Sequence, residues 1–145
     1  FRRSRGLGDV YKRQSLDKAI ANTIEKSLDI YDYELTIPLT NFIFQSPLHW
    51  NVMTIIALAT FKDDFETSFQ HLCESISSKT VSKSSIQSII EIGIARGFIE
   101  KKALKRDKRI KSLTLTHKSK KDYSNWIAAD AKTYYPIIKP GRKNK

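Results

Sequence analysis

SKSSIQSIIEIGIARGFIEKKALKRDKRIKSLTLT, residues Ser82–Thr116, changes its periodicity halfway along. From Ser82 to Arg96 the apolar residues Ile86, Ile89, Ile90 and Ile94 recur at helical spacing, and Gly97 follows at the position where helices commonly end. Phe98-Ile99 then opens an extended run, Leu104–Lys108 is a charged turn, and Ile110, Leu113 and Leu115 continue with Ser and Thr between them. Strand, charged turn, strand is the pattern of a β-hairpin. The spacing therefore predicts a helix over Ser82–Arg96 feeding a projecting hairpin, or wing, over about Glu100–Thr116.

The outer side of that helix is polar from its first residue. Ser82, Lys83, Ser84, Ser85, Gln87 and Ser88 fill the first two turns, with only Ile86 turned inward. Short hydroxyls approach phosphates closely, a helix N-terminus adds oriented N–H donors, and a glutamine can pair with adenine in a major groove. The same residues are common on any solvated helix. The hairpin gives them context: Lys105, Arg106, Lys108 and Arg109 surround Asp107 at its tip, and Lys111 follows on the second strand. Asp107 can orient one flanking arginine and leave the other to enter a minor groove.

Working outward, Thr67–Ile76 reads as a short helix with Phe69, Leu72, Cys73 and Ile76 on one face, and Ser77–Val81 as a polar connection. Leu48–Phe61 is apolar on nearly all sides, as a central buried helix would be. Pro38 and Pro47 bracket Leu39–Ser46, a turn of helix or a strand. Ser15–Ile30 is amphipathic, with Ser15 available as N-cap. After His117 a helical pattern returns, placing Tyr123, Trp126, Ile127, Asp130 and Tyr134 on one side until Pro136 and Pro140 stop it. The expected fold is mainly α with a small β wing of two or three strands: a winged helix-turn-helix flanked by N- and C-terminal helices. Its expected extent is 15–136, with a basic tail over 137–145. Residues 1–14 lack a methionine start and any regular period. They resemble a translated adapter joined to a truncated frame, so they are read as non-native or disordered, with the true N-terminus missing.

Charge supports the placement. The chain has 145 residues and a formal charge of +11. Residues 15–95 hold five Lys/Arg against ten Asp/Glu, while 96–121 hold eleven against two. A solubility device would be spread over the surface; a polyanion site is concentrated in this way. The longest apolar run, Val52–Phe61, is about half of a membrane span. The single Cys73 permits no intrachain disulfide and fits a reducing compartment such as the cytoplasm.

Three parts of Ser82–Thr116 resemble the MarR family of transcription regulators. Ser82–Ile94 is similar to that family's S-x-x-T-V-x-x-x-V-x-x-L helix, Gly97-Phe98-Ile99-Glu100-Lys101 to its G-L-I-x-R exit, and Asp107-Lys108-Arg109 with Leu113–Thr116 to its D-x-R…L-x-L-T wing. The resemblance implies that Ser84, Ser85, Gln87 and Ser88 read the major groove and Arg109 enters the minor groove of duplex DNA. It also implies a homodimer that represses transcription and answers to a small-molecule or oxidant signal. Gly93 departs from the pattern where the family has a core leucine, with Ile92 or Ile94 expected to compensate by a register shift. Lys118-Ser119 replaces the usual glycine after the wing, and little chain follows Tyr135 to make a second dimerisation helix.

Other chemistry finds little footing. His49, His71 and His117 lie on separate elements, and His71-x-Cys73 is poorly spaced for a metal, so neither metal nor cofactor is expected. Cys73 reads as a small buried apolar residue, with redox sensing as the alternative. Asp63, Asp64 and Glu66 sit in a charged turn and read as solvated. Tyr31, Tyr33, Phe42, Phe44 and Trp50 read as core, the alternatives being an effector pocket or a dimer contact. No phosphate loop or nucleophile motif is present, so an enzyme is not expected. The alternatives to a transcription regulator are a winged-helix protein of replication or partition, and a winged helix that binds RNA or protein.

Overall fold

In the computed structural model, residues 2–76, 81–104 and 106–138 are described, the side chains of 2–8 and 135–138 excepted. The elements run α1 (Arg2–Glu34), α2 (Pro38–Ile43), α3 (Pro47–Phe61), α4 (Phe69–Ser75), α5 (Lys83–Ala95), β1 (Ile99–Ala103), β2 (Lys111–Leu115) and α6 (His117–Ile138). The protein is mainly α with one small antiparallel sheet, the winged helix-turn-helix order expected from the sequence.

By its contacts the chain forms two units, one from residues 37–124 and the other from its two ends, 1–36 and 125–145. In the first, α2 supplies Leu39, Phe42 and Ile43 to the core, α3 supplies Val52, Met53, Ile56 and Ala57, and α5 supplies Ile86, Ile89 and Ile90. Leu72 of α4 and Leu113 and Leu115 of β2 complete it, α3 and α4 both packing on β2. Each of these side chains other than Ala57 contributes about 1.5–3 kcal/mol when withdrawn from water. Ser46 and Ser68 cap α3 and α4 by accepting from the His49 and His71 amides at 3.1 and 3.2 Å. The wing is pinned to this body at two places: the Leu113 amide donates to the Thr67 carbonyl at 2.8 Å, and the Leu115 amide to Thr60 Oγ1 at 2.9 Å. Thr67 makes a single backbone bond where a third strand would run, so among the described residues the wing has two strands.

The exit from α5 shows why the glycines stand where they do. The Phe98 amide donates to the Gly93 carbonyl at 2.8 Å and the Gly97 amide to the Ile94 carbonyl at 3.1 Å, with Gly97 at φ 78°. That is the Schellman pattern, and the left-handed residue it requires is almost always glycine. Gly93 is itself buried, and a Cβ there would stand 2.5 Å from Ile99 Cδ1. The Ile99 side chain therefore fills the space that a core leucine on the helix would occupy. The expected register shift does not occur: Ile92 is exposed and Ile94 half-buried.

Several other expectations need correction. Ser15 lies inside α1 and caps nothing, because the helix begins at Arg2. Leu39–Ser46 contains a short helix after Pro38 and no strand. Trp50, Leu58 and Phe61 leave α3 exposed on one side. Of the five clustered aromatics only Phe42 is core; Tyr31, Tyr33, Phe44 and Trp50 are exposed. The reason is local: Tyr31 and Tyr33 belong to the long α1, where helical spacing turns them outward. Cys73 is half-buried. Helix α6 passes Pro136, which removes only one backbone donor near the end of the helix. On α6 Trp126 is buried, but Ile127 and Tyr134 are exposed. The Ser77–Val81 connection, Val81 aside, and the 137–145 tail, apart from its first two residues, lie outside the described residues.

In the unit formed by the chain ends, the buried residues are mostly polar: Thr23, Glu34 and Thr133 beside Trp126. Glu34 is 5% exposed, and burial together with the nearby Asp130 carboxylate raises its pKa above the ordinary value, against a lowering hydrogen bond from Trp126. Burial raises Asp130 as well. Leu16, Ile20, Ile24 and Leu28, at four-residue steps on α1, are exposed. Among the described residues no helix is long and apolar enough to cross a membrane.

Candidate nucleic-acid interface

Ser82 is extended, at φ −83° and ψ 150°, and caps α5 by accepting from the Ser85 amide at 3.2 Å. Its hydroxyl also lies 3.0 Å from Ser84 Oγ and 2.9 Å from Ser85 Oγ. Three hydroxyls thus gather at the positive end of a 13-residue helix, all exposed, with the exposed Lys83 among them. Ser88 is exposed one turn further on. Gln87 is half-buried and donates its amide to Glu91 Oε1 at 2.8 Å, so it has to leave that partner to meet a base. The inward Ile86, Ile89 and Ile90 fix the rotation of the helix, and this is what turns the serines outward.

At the wing tip Asp107 holds Arg109, the arginine that the resemblance sends into the minor groove, so the expected division between one held arginine and a second, free one that enters the groove does not occur. Asp107 Oδ1 accepts from the Arg109 amide at 3.0 Å and from Nε at 3.2 Å, and its Oδ2 accepts from Nη2 at 3.3 Å. The Arg109 side chain and amide hold the Asp107 carboxyl below its ordinary pKa. Arg109 remains 90% exposed, held on one edge with the rest of its guanidinium directed to solvent. Arg106 reaches Glu66 Oε2 at 3.7 Å, a solvent-exposed pair of small energetic weight. Lys108 and Lys111 are exposed; Lys105 falls outside the described residues. Lys101 and Lys102 extend the cationic surface along β1, with Lys102 3.0 Å from Glu100. The interface residues thus form two clusters, one at the start of α5 and one at the wing tip, joined by no hydrogen bond or ion pair among the described residues.

Thr116, which closes the wing motif in the sequence, is also the joint between wing and α6, a role the sequence reading did not assign. Its amide donates to the Phe98 carbonyl at 3.1 Å, its hydroxyl donates to the Gly97 carbonyl at 2.8 Å, and the same oxygen accepts from the Ser119 amide at 3.3 Å. One side chain therefore ties the exit of α5, the end of β2 and the start of α6 together. A threonine just before a helical pattern is an N-cap signal, so Thr116 was legible. Arg96 was counted only as charge, yet its guanidinium sits 5.2 Å from the Phe98 ring centre and 5.9 Å from that of Phe42. No group of three metal-ligating side chains is assembled among the described residues. His71 lies within hydrogen-bond distance of Thr67 and Ser75, at 2.8 and 3.3 Å.

No protein-family model matches the sequence, and no curated protein matches it. Solved structures similar to the chain are regulators of the MarR type. The transcriptional regulator PA4135 is 14% identical over 92% of this chain and 83% of its own, with a TM-score of 0.48. The heme sensor protein PefR from Streptococcus agalactiae, in complex with heme, is 22% identical over 88% and 79%, with a TM-score of 0.47. Wild-type MarR from E. coli, in its apo form, is 10% identical over 88% and 84%, with a TM-score of 0.46.

Proposed function

We propose that the protein is a non-catalytic transcription regulator of the MarR type that binds duplex DNA as a homodimer and represses by occupying its site. In this reading Ser82, Lys83, Ser84, Ser85, Gln87 and Ser88 face the major groove. Lys105, Arg106, Lys108, Arg109 and Lys111 face phosphates and the adjoining minor groove, with Asp107 orienting Arg109. The observation that carries it is the three-bond grip of Asp107 on an otherwise exposed Arg109 at the tip of a cationic hairpin. An arginine ordered in this way enters a narrow groove at a smaller entropic cost than a free one.

The homodimer is supported by α1. A helix with a row of exposed aliphatics at four-residue steps, in a unit whose buried residues are mostly polar, is short of a partner surface. The DNA-binding domain would be 15–136 with its flanking helices, residues 1–14 being dispensable and 137–145 a basic tail. The protein would work in the cytoplasm, answering to a small-molecule effector.

The test is fluorescence anisotropy with labelled duplex DNA, duplex RNA and single strands at matched ionic strength. Duplex DNA should bind most tightly, and Ser84→Ala/Ser85→Ala should weaken it. Equal affinity for duplex RNA would contradict the reading, because an A-form major groove is too narrow to admit α5.

A further inference from the structure

The serine face of α5 forms one wall of an open groove, and the opposite wall carries a titratable group. Ser46 and His49, at the start of α3, line a space of about 450 Å³ together with Ser84, Ser85 and Ser88. Both walls belong to the unit of residues 37–124. Among the described residues of the lining, His49 is the one side chain able to change charge.

Two neighbours fix the half-buried His49 ring. Its Nδ1 lies 2.7 Å from Ser46 Oγ, and Phe42 of α2 meets it edge-on with ring centres 5.1 Å apart. Ser46 Oγ also accepts from the His49 amide at 3.1 Å. Either neutral tautomer of the ring withholds a donor. With Nδ1 bare, the Ser46 hydroxyl proton is committed to it; with Nδ1 protonated, Nε2 is bare. Protonation makes both ring nitrogens donors, turns Nδ1–H onto Ser46 Oγ and frees the hydroxyl proton of Ser46 for another acceptor. One proton therefore adds a positive charge and a hydrogen-bond donor to the same wall. Burial lowers the His49 pKa, and no charged neighbour adds to the shift. Of the charged groups on neighbouring elements, Lys83 and Glu91 of α5 lie outside the lining, Glu91 accepting from Gln87. Arg96, at the exit of α5, stands 5.9 Å from the Phe42 ring centre.

We infer that His49 is a proton-linked contact to a backbone phosphate of duplex DNA, neutral in the free protein and an imidazolium in the complex. The inference rests on the DNA-binding reading and adds a regulation to it: acidification tightens the complex. A strand seated on the α5 serines passes over the groove, and a phosphodiester keeps its single negative charge across the pH range in which histidine titrates. The approaching phosphate favours the charged ring, so binding takes up a proton. Affinity then rises as pH falls through the His49 pKa of the complex, and levels off below the lower pKa of the free protein.

The experiment is fluorescence anisotropy of the full chain with duplex DNA between pH 5 and 8 at fixed ionic strength, for the wild type and His49→Gln. The slope of affinity against pH is the readout. The wild type should gain about tenfold in affinity across this range, and H49Q should lose most of that gain. His71 and His117 remain in the variant and report any pH dependence of other origin. NMR titration of the His49 ring protons in the wild type, with and without duplex, gives a second measure that needs no variant; the pKa should be higher in the complex. An equal slope in H49Q, or the same His49 pKa free and bound, overturns the inference while DNA binding itself stands. Absence of duplex binding at every pH overturns both.

Discussion

Asp107 and Arg109 illustrate how one residue pair sets the behaviour of a loop. Two carboxylate oxygens take three N–H donors from a residue two positions away, and the turn closes as the Ile110 amide donates to the Asp107 carbonyl at 3.1 Å. Holding a long side chain in one geometry is worth about 0.5–1.5 kcal/mol at an interface. Asp107→Asn should therefore lose about two- to tenfold of the preference for an A-tract over a G·C-rich duplex. Competition anisotropy between the two duplexes measures it, and an unchanged preference would mean Arg109 does not read groove width. The D-x-R spacing was visible in the sequence, and so was the choice between Arg106 and Arg109. That Asp107 takes Arg109 was not, because it depends on the backbone bending to bring the Arg109 amide onto the same oxygen.

At the scale of the element, the α5 exit joins helix to wing through Gly93, Gly97 and Thr116. Gly97 was readable as a helix end from its position after a periodic run. Gly93 was not readable as a packing site: its partner, Ile99, sits on the next element, and only the fold places Ile99 Cδ1 where a Cβ would go. Gly93→Ala should cost more in overpacking, about 1–3 kcal/mol, than the roughly 1 kcal/mol it gains in helix propensity. Ile99→Val removes the offending Cδ1. The pair G93A/I99V should thus be more stable than the two single effects predict, as urea unfolding of the four proteins would measure. Simple additivity would show that the Ile99 side chain does not fill this space. The aromatics between α1 and α3 were misread for a related reason. Clustering in sequence suggested a shared core, whereas helical spacing on α1 and α3 and the end of α2 turned four of the five outward.

Across the whole molecule, two chemistries divide between the two units. Residues 37–124 hold a dense aliphatic core and the candidate interface; the chain ends hold exposed aliphatics over buried polar residues. Ile24→Glu with Leu28→Glu on α1 should shift the protein toward monomer in sedimentation at micromolar concentration, and an unaltered profile would remove α1 from any dimer contact. The same unit should show a pH dependence. The raised pKa values of Glu34 and Asp130 mean the folded state holds its protons longer. Their contribution to stability is then fully present below the ordinary values, 4.5 and 3.8, and is lost as pH rises through the raised folded ones. Thermal unfolding followed from pH 4 to 7 should show that loss, and Glu34→Gln should reduce it. The order of elements and the charge contrast that locate the interface were both legible in the sequence. The polar burial was not, since Glu34 lies on an otherwise exposed stretch of helix.

The most direct measurement of the central claim is the salt dependence of duplex DNA binding, comparing the protein without residues 1–14 with its Arg109→Ala variant. The account predicts a steep loss of affinity with salt, and a slope shallower by about one unit in the variant. Absence of binding, or binding that disappears once residues 1–14 are removed, would contradict it.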